Sequence, residues 1–168
     1  MLSIETERLT ITEFTMDMAQ DVHKNSLDED NRRFVPDEVF ETTEEAGETI
    51  AFLMSRYGGE EGPFVYPVLL KDRTNIGYVQ LVPVEDGWEI GYHIAKKFTG
   101  KGYAAEAVRA FLPVMMKEHH LNQIIGICVA ENYASRRVME KSGFTKLFEG
   151  MGPYQGKNIN ICRYLYTA

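Results

Sequence analysis

The chain has 168 residues, of which 44% are hydrophobic, and its formal net charge is −7. This length predicts one domain, residues 1–168, with a substantial apolar core. No apolar run approaches the roughly 20 residues of a membrane-spanning helix, and Met1 to Glu5 lack the features of a secretory signal. The composition therefore excludes a membrane-spanning protein and predicts a soluble, cytoplasmic one.

Cysteine and histidine usage gives no sign of a metal or a disulfide. Cys128 and Cys162 each lie in an apolar, strand-like run, which is typical of reduced packing residues. The only adjacent histidines are His119 and His120, and no Cys, His or carboxylate group has metal-ligand spacing. We expect no bound metal.

The charge is unevenly distributed along the chain. Residues 1–95 contain 20 acidic and 7 basic residues, whereas residues 96–168 contain 5 and 11. This asymmetry predicts regions of opposite potential, one suited to a cationic ligand and the other to an anionic one. The alternative is that these charges lie on solvated faces that mix in space.

The first half of the chain predicts a strand, two helices and three further strands. A strand at roughly 5–14 precedes a helix that Thr15 caps and that runs to about His23, where the acidic cluster 28–31 interrupts it. Thr42 and Glu45 fit a capping box that opens the next helix, and Gly58 and Gly59 end it. Strands at 64–70, 76–83 and 88–94, joined by short turns, predict an antiparallel meander.

The second half predicts helix, strand, helix and a final strand pair. Pro113 predicts that the helix after residue 102 is kinked near Arg109 or broken in two. Residues 124–130 are continuously apolar, which is typical of a central strand covered on both faces. Asn132 caps the next helix and Gly143 ends it. The sum is an α/β fold with a mixed sheet and helices on both faces.

A glycine-rich turn at 99–104 joins the third meander strand to the next helix. Such a turn exposes unpaired backbone N–H groups at the positive end of a helix dipole, which suits a phosphate or pyrophosphate. The sequence therefore predicts a nucleotide or coenzyme site there.

Alternation along 88–94 places Glu89, Gly91 and His93 on one face of that strand. Of the two faces, this one carries side chains able to accept a proton. Glu89 and His93 are thus the candidate bases.

The segments EIGYHI, TGKGYAAEAV and ICVAENYASRRVMEKSGF resemble the GNAT superfamily of acetyl-CoA-dependent N-acetyltransferases. Together with the opening ETERLTITEF, they are most similar to its RimJ/RimL branch, which acetylates ribosomal-protein amino termini. The resemblance implies a mostly antiparallel sheet with a diverging strand pair at the coenzyme site. Thr99 departs from the superfamily signature, which has Gln or Arg at that position.

The resemblance also implies the site residues. Acetyl-CoA would be held by the glycine turn, the preceding strand and the start of the following helix, at His93, Ile94, Thr99, Gly100, Lys101, Gly102, Tyr103, Ala104, Asn132 and Ser135. A backbone N–H at His93 or Ile94 would stabilise the oxyanion.

The implied chemistry is direct attack of an amine within a ternary complex. Glu89 occupies the position of the general base, with His93 as the competing candidate. The tyrosine that often serves as the acid is replaced by Met139, so Ser135 is carried over as the donor to the thiolate, with Tyr133 and Tyr154 as alternatives.

The acceptor is expected to be a cationic primary amine, either a protein amino terminus or a small amine, because residues 28–61 contain 11 acidic and 3 basic residues. The missing tyrosine leaves a catalytically silent acyl-CoA sensor as the rival, and nucleic acid is not an expected partner. The last two strands present Ile159, Ile161, Tyr164 and Tyr166 as an apolar edge that could form a homodimer.

Overall fold

The computed structural model describes residues 1–34 and 38–168. The strands are β1 Ser3–Glu5, β2 Leu9–Thr12, β3 Phe64–Leu70, β4 Asn75–Val84, β5 Gly87–Ile94, β6 Gln123–Val129, β7 Thr145–Tyr154 and β8 Lys157–Thr167. The helices are α1 Ala19–Ser26, α2 Glu29–Phe34, α3 Thr43–Arg56, α4 Tyr103–Glu118 and α5 Tyr133–Lys141. In the described part of the chain, no helix combines the length and the apolar character needed to cross a bilayer.

The strands form one sheet of eight in the order β1-β2-β3-β4-β5-β6-β8-β7. Neighbouring strands are antiparallel except β5 and β6, which are parallel. The predicted meander of β3, β4 and β5 and the central position of β6 are confirmed. The sheet is therefore mixed but mostly antiparallel, as expected.

Helices cover both faces of this sheet. Val108, Phe111 and Met115 of α4 pack in one core cluster with alternate residues of the meander strands. Ile50 and Leu53 of α3 pack in a second cluster on the opposite face. Directly paired antiparallel residues share a face, so β4 and β5 present one common set to the α1 and α3 side: Tyr78, Gln80, Val82, Glu89, Gly91 and His93.

The amino-terminal elements differ from the prediction in their bounds. The expected strand at 5–14 is divided into β1 and β2, which pair with each other as a hairpin. Thr15 precedes a single 3₁₀ turn, Met16–Met18, and α1 follows as a separate helix. The acidic cluster does not merely interrupt a helix, because α2 begins within it at Glu29.

The capping box of α3 is confirmed in a shifted form. The Thr42 side chain accepts a hydrogen bond from the Glu45 N–H at 3.1 Å, as predicted. The Glu45 carboxylate accepts its own bond from the Glu41 N–H at 3.0 Å, one residue before the cap. Both bonds satisfy amides near the start of the helix that would otherwise lack partners.

Of the two outcomes predicted for Pro113, a kink near Arg109 or a helix broken in two, the broken helix is wrong. Helix α4 runs without interruption from Tyr103 to Glu118 with Pro113 inside it. The apolar residues around the proline are at most 1% exposed to solvent: Phe111, Leu112 and Met115. Packing of this apolar face stabilises the helix enough to offset the hydrogen bond that proline removes.

Two expectations about the second half need correction. In β6 one set of side chains is buried, but Ile125, Ile127 and Val129 are only partly covered, because Ile127 and Val129 line an open cleft. The expected apolar edge is also wrong. Strand β8 lies between β6 and β7, and Ile161 and Tyr164 are 0% exposed, so they belong to the core.

Candidate active site

A cleft of about 1020 Å³ lies where β5 and β6 separate. It is lined by residues from β5, the glycine turn, the start of α5 and the end of β7, together with Asp28 and Glu38 from the acidic part of the chain. Of the predicted site residues, all but Lys101 and the alternative donor Tyr133 line this cleft. The fold thus brings the expected coenzyme turn and the candidate bases into one space.

The glycine turn has the backbone that an anion site requires. Gly100 and Gly102 have φ angles of 78° and 83°, in the left-handed region that favours glycine. The first helical bond runs from the Glu106 N–H to the Gly102 carbonyl at 3.1 Å. Within the described residues, the amides from 100 to 105 have no acceptor. They lie at the positive end of α4, so the turn fits phosphate groups.

Side chains of the turn contribute less than its backbone. The Thr99 hydroxyl donates to the Lys96 carbonyl at 2.7 Å, which closes the turn before the glycines. Thr99 can therefore replace the signature Gln or Arg without loss of the free amides. Lys101 does not line the cleft, but its carbonyl is held by the Arg8 guanidinium at 2.9 Å.

Arg8 and Glu106 brace the turn, a role that the sequence did not reveal. The Arg8 Nε donates to the Glu106 carboxylate at 2.7 Å, and the Thr6 hydroxyl donates to it at 2.6 Å. Burial raises the pKa of Glu106, but these hydrogen bonds outweigh that effect and hold the pKa below its usual value. The Arg8 guanidinium also lies 4.4 Å from the centre of the Tyr103 ring. The only sequence signal was the opening ETERL segment.

Strands β5 and β6 diverge beside the turn. In these two described strands, one residue pair is in register, Glu89 with Ile125. Beyond it, the edge of β5 that faces β6 is not paired from Ile90 to Ile94, and His93 and Ile94 line the cleft there. Backbone groups on such an edge need a partner, which an extended ligand with amide groups would provide.

Glu89 is a partly buried carboxyl group without a hydrogen-bond partner among the described residues. Burial and the nearby Glu38 carboxylate raise its pKa to about 7. Glu38 itself is held by the Tyr78 hydroxyl and by the Gln80 side-chain amide at 3.1 Å. Such a carboxyl can take up a proton near neutral pH, which a general base must do.

His93 is less available for the same role. Its Nε2 lies 3.1 Å from the Asn25 carbonyl oxygen and 3.1 Å from the Asp28 carboxylate. Donation to these oxygens requires a proton on Nε2, so that nitrogen has no lone pair for a substrate proton. Burial raises the pKa of Asp28, but the bonds from His93 and the Asn31 N–H outweigh it and hold the pKa below its usual value.

The start of α5 is organised by Asn132. Its side-chain oxygen accepts a hydrogen bond from the Ser135 N–H at 3.2 Å, which confirms the predicted cap. The Ser135 hydroxyl lies 2.8 Å from the Tyr92 hydroxyl. Met139 is 2% exposed and has no hydroxyl, so it cannot replace the missing tyrosine.

The two alternative tyrosines differ in position. Tyr133 is 63% exposed and does not line the cleft, whereas Tyr154 does. Burial, Glu89 and Glu38 raise the pKa of Tyr154. Tyr154 therefore lies near the candidate base Glu89.

Charges of both signs line the cleft. The first part of the chain contributes the carboxylates of Asp28, Glu38 and Glu89, and the second part contributes Lys96, Arg137 and Lys141. Elsewhere the two parts do mix, because Arg33 pairs with Glu131 at 2.9 Å. Within residues 1–34 and 38–168, no three His, Cys, Asp or Glu side chains come together as a metal site would require.

Comparisons with known proteins identify the family of this chain. The acetyltransferase (GNAT) domain family matches residues 8–145. The uncharacterized N-acetyltransferase YnaD of Bacillus subtilis is 35% identical over 86% of this chain and 84% of its own. A GNAT-family acetyltransferase of Bacillus anthracis superposes with a TM-score of 0.83 at 30% identity, covering 99% of this chain and 98% of that one.

A more distant structure has the same fold with a ligand. RimL, a ribosomal L7/L12 alpha-N-protein acetyltransferase in complex with coenzyme A, has a TM-score of 0.83 at 16% identity, covering 99% of this chain and 98% of its own. The chain therefore belongs to the GNAT family of acetyltransferases and is an acyltransferase with acetyl-CoA as donor.

Proposed function

We propose that the protein transfers the acetyl group of acetyl-CoA to a cationic primary amine by direct attack within a ternary complex. The observation that carries this proposal is the Glu89 carboxyl, which has no hydrogen-bond partner among the described residues and a pKa of about 7, and which lines the same cleft as the glycine turn.

The coenzyme would be held mainly by backbone groups. The free amides from 100 to 105 would bind its phosphates, with Arg137 and Lys141 adding positive charge from α5. The unpaired edge of β5 at His93 and Ile94 would bond the amides of its pantetheine arm. The coenzyme supplies the acetyl thioester.

Glu89 would act as the general base. A peptide α-amine has a pKa near 8 and an alkylamine near 10, so the acceptor is mostly protonated at neutral pH and must lose a proton before it attacks. A carboxylate with a pKa of about 7 is a closer match to these amines than an ordinary glutamate. His93 remains the alternative base, although its Nε2 is engaged.

The other catalytic roles follow from the β5 edge and α5. A backbone N–H at His93 or Ile94 would stabilise the oxyanion, and the Ser135 hydroxyl would donate to the leaving sulfur. Serine is a weak acid, so positioning of the two substrates would supply much of the rate.

The acceptor end of the cleft favours positive charge because Glu38 and Glu89 both line it. A protein amino terminus agrees with the RimJ/RimL resemblance, and RimL itself acts on a ribosomal protein. A small cationic amine would satisfy the same two carboxylates. These are the two acceptor classes that we propose.

The proposal is tested by following free thiol release from acetyl-CoA across a library of peptides and small amines. We expect amine-dependent release whose kcat/KM rises with pH along a limb with a pKa of about 7. Glu89→Gln should lower kcat by about 10²- to 10⁴-fold and remove that limb, with acetyl-CoA binding retained. Glu85→Gln, on an exposed turn residue, is the matched control.

Two outcomes would contradict the proposal. If acetyl-CoA binds but neither the wild type nor Glu89→Gln releases thiol with any amine, the chain is a coenzyme sensor of the same fold. If Glu89→Gln keeps wild-type kcat, another group accepts the proton, and His93→Gln becomes the next variant to assay.

A further inference from the structure

We propose that Tyr92 is a positioning residue that orients the Ser135 hydroxyl toward the leaving sulfur. This inference rests on the proposed transfer reaction. It concerns the donor to the leaving sulfur, a role that Met139 cannot fill and that the proposed function gives to Ser135. Tyr92 lies on β5, on the face opposite Glu89, and both Tyr92 and Ser135 line the cleft.

Two short distances connect Tyr92 to the start of α5. The Tyr92 hydroxyl oxygen lies 2.8 Å from the Ser135 hydroxyl oxygen and 2.9 Å from the Ser135 carbonyl oxygen. The Ser135 N–H is already bonded to the Asn132 cap. Ser135 is therefore fixed at three of its polar groups, its amide, its carbonyl and its hydroxyl.

The number of protons on these groups decides where Ser135 can donate. The phenol has one proton, and it can be donated either to the Ser135 carbonyl or to the Ser135 hydroxyl oxygen. In the first arrangement the serine proton points to Tyr92 and is unavailable to a ligand. In the second arrangement Tyr92 donates to the serine oxygen, and the serine proton points away from Tyr92, toward the cleft and the Cys128 thiol that lines it.

Negative charge on a leaving sulfur would select the second arrangement. A serine hydroxyl that accepts one hydrogen bond is polarised and becomes a better donor in the next. Burial raises the pKa of Tyr92, so the phenol stays protonated and remains a donor. Tyr92 thus assists through Ser135 without giving up its proton.

The test is a double-mutant cycle on Tyr92→Phe and Ser135→Ala, measured as amine-dependent thiol release. Tyr92→Phe removes one oxygen and keeps the ring. We expect it to lower kcat by about 10-fold and to leave KM and Kd for acetyl-CoA within about twofold. In the Ser135→Ala background, Tyr92→Phe should have no further effect on kcat, because its action passes through the serine hydroxyl.

Tyr164→Phe is the matched control. Tyr164 is also a buried strand tyrosine whose hydroxyl bonds to α5, at Glu140, 3.4 Å away, but it does not line the cleft. We expect its kcat to equal the wild-type value. All rates are measured at a temperature well below the lowest thermal unfolding midpoint among these variants. A loss of stability then does not lower the measured kcat.

Three results would overturn this role: a Tyr92→Phe kcat equal to wild type, an effect that persists in full in the Ser135→Ala background, or an equal loss in Tyr164→Phe. If the wild type is active and any of these three results is found, only the role of Tyr92 is overturned. A wild type without amine-dependent release overturns the proposed function and this role together.

Discussion

The Glu89 carboxyl is partly buried and has no hydrogen-bond donor among the described residues, which lowers the stability of the fold when the group is ionised. Its pKa rises from an ordinary 4.5 to about 7 on folding, so the folded state binds a proton more tightly than the unfolded state does. The favourable contribution of the neutral form is fully present below pH 4.5 and is lost as the pH rises to about 7. Catalytic carboxyl groups commonly carry such a cost.

Glu89→Gln should therefore be more stable than wild type at pH 8, and the difference should grow between pH 4.5 and pH 7. Chemical unfolding at several pH values measures it. Glu85→Gln, at an exposed carboxyl, should show no such growth. A Glu89→Gln stability difference that stays constant across this range would mean that Glu89 does not titrate near neutrality.

Glu38 contributes to the raised pKa of Glu89 through charge repulsion. Glu38→Gln removes the charge and keeps groups that can bond Tyr78 and Gln80. We expect the limb of the kcat/KM profile to move to lower pH, because one of the two causes of the shift is gone. Glu41→Gln, which removes an exposed carboxylate paired with Arg32, should leave the limb in place. If the limb does not move in Glu38→Gln, the Glu38 carboxylate does not affect the pKa of the base.

The glycine turn is an element whose shape depends on a distant strand. Arg8 lies just before β2, and its guanidinium connects the Lys101 carbonyl to the Glu106 carboxylate. These contacts fix the start of α4 against the sheet before any ligand binds. A turn held in this way loses less conformational entropy when it binds phosphate.

Arg8→Met should consequently raise KM for acetyl-CoA several-fold, with little change in kcat at saturation. Methionine keeps an unbranched apolar side chain but removes the guanidinium, with its hydrogen bonds to Lys101 and Glu106 and its contact with the Tyr103 ring. Arg32→Met, which breaks an exposed ion pair with Glu41, should leave both constants unchanged. If Arg8→Met lowers kcat and leaves KM unchanged, the brace acts on the chemistry rather than on coenzyme binding.

Elements with a strong local signal were predictable, and those shaped by tertiary contacts were not. Apolar alternation and short turns predicted β3, β4 and β5, and the Thr42 signal predicted the start of α3. The unbroken path of α4 through Pro113 depends on burial between sheet and helices, which no local pattern records.

The candidate site divides in the same way. Periodicity placed Glu89 and His93 on one face of β5. The sequence does not show that Asp28 and Asn25 engage His93, or that Glu38 approaches Glu89, because those residues are more than 40 positions apart and meet only in the folded chain.

Across the whole molecule, the charge asymmetry of the sequence is partly carried into the cleft. Carboxylates at Glu38 and Glu89 and cationic side chains at Lys96, Arg137 and Lys141 line the same space. Many of the other acidic side chains are neutralised locally or lie on exposed surface, as Glu41 and Glu61 do in their ion pairs. The cleft itself is therefore the place where opposite potentials meet.

This arrangement predicts opposite salt responses for acceptors of opposite charge. At saturating acetyl-CoA, kcat/KM for a polyamine or a basic peptide should fall as salt rises, because the Debye length shortens to about 10 Å at 0.1 M and screens Glu38 and Glu89. A peptide with acidic residues after its amino terminus should respond weakly or improve. In Glu38→Gln the salt slope for the basic acceptor should flatten. Equal slopes for all acceptors would show that the carboxylates of the cleft do not select charge.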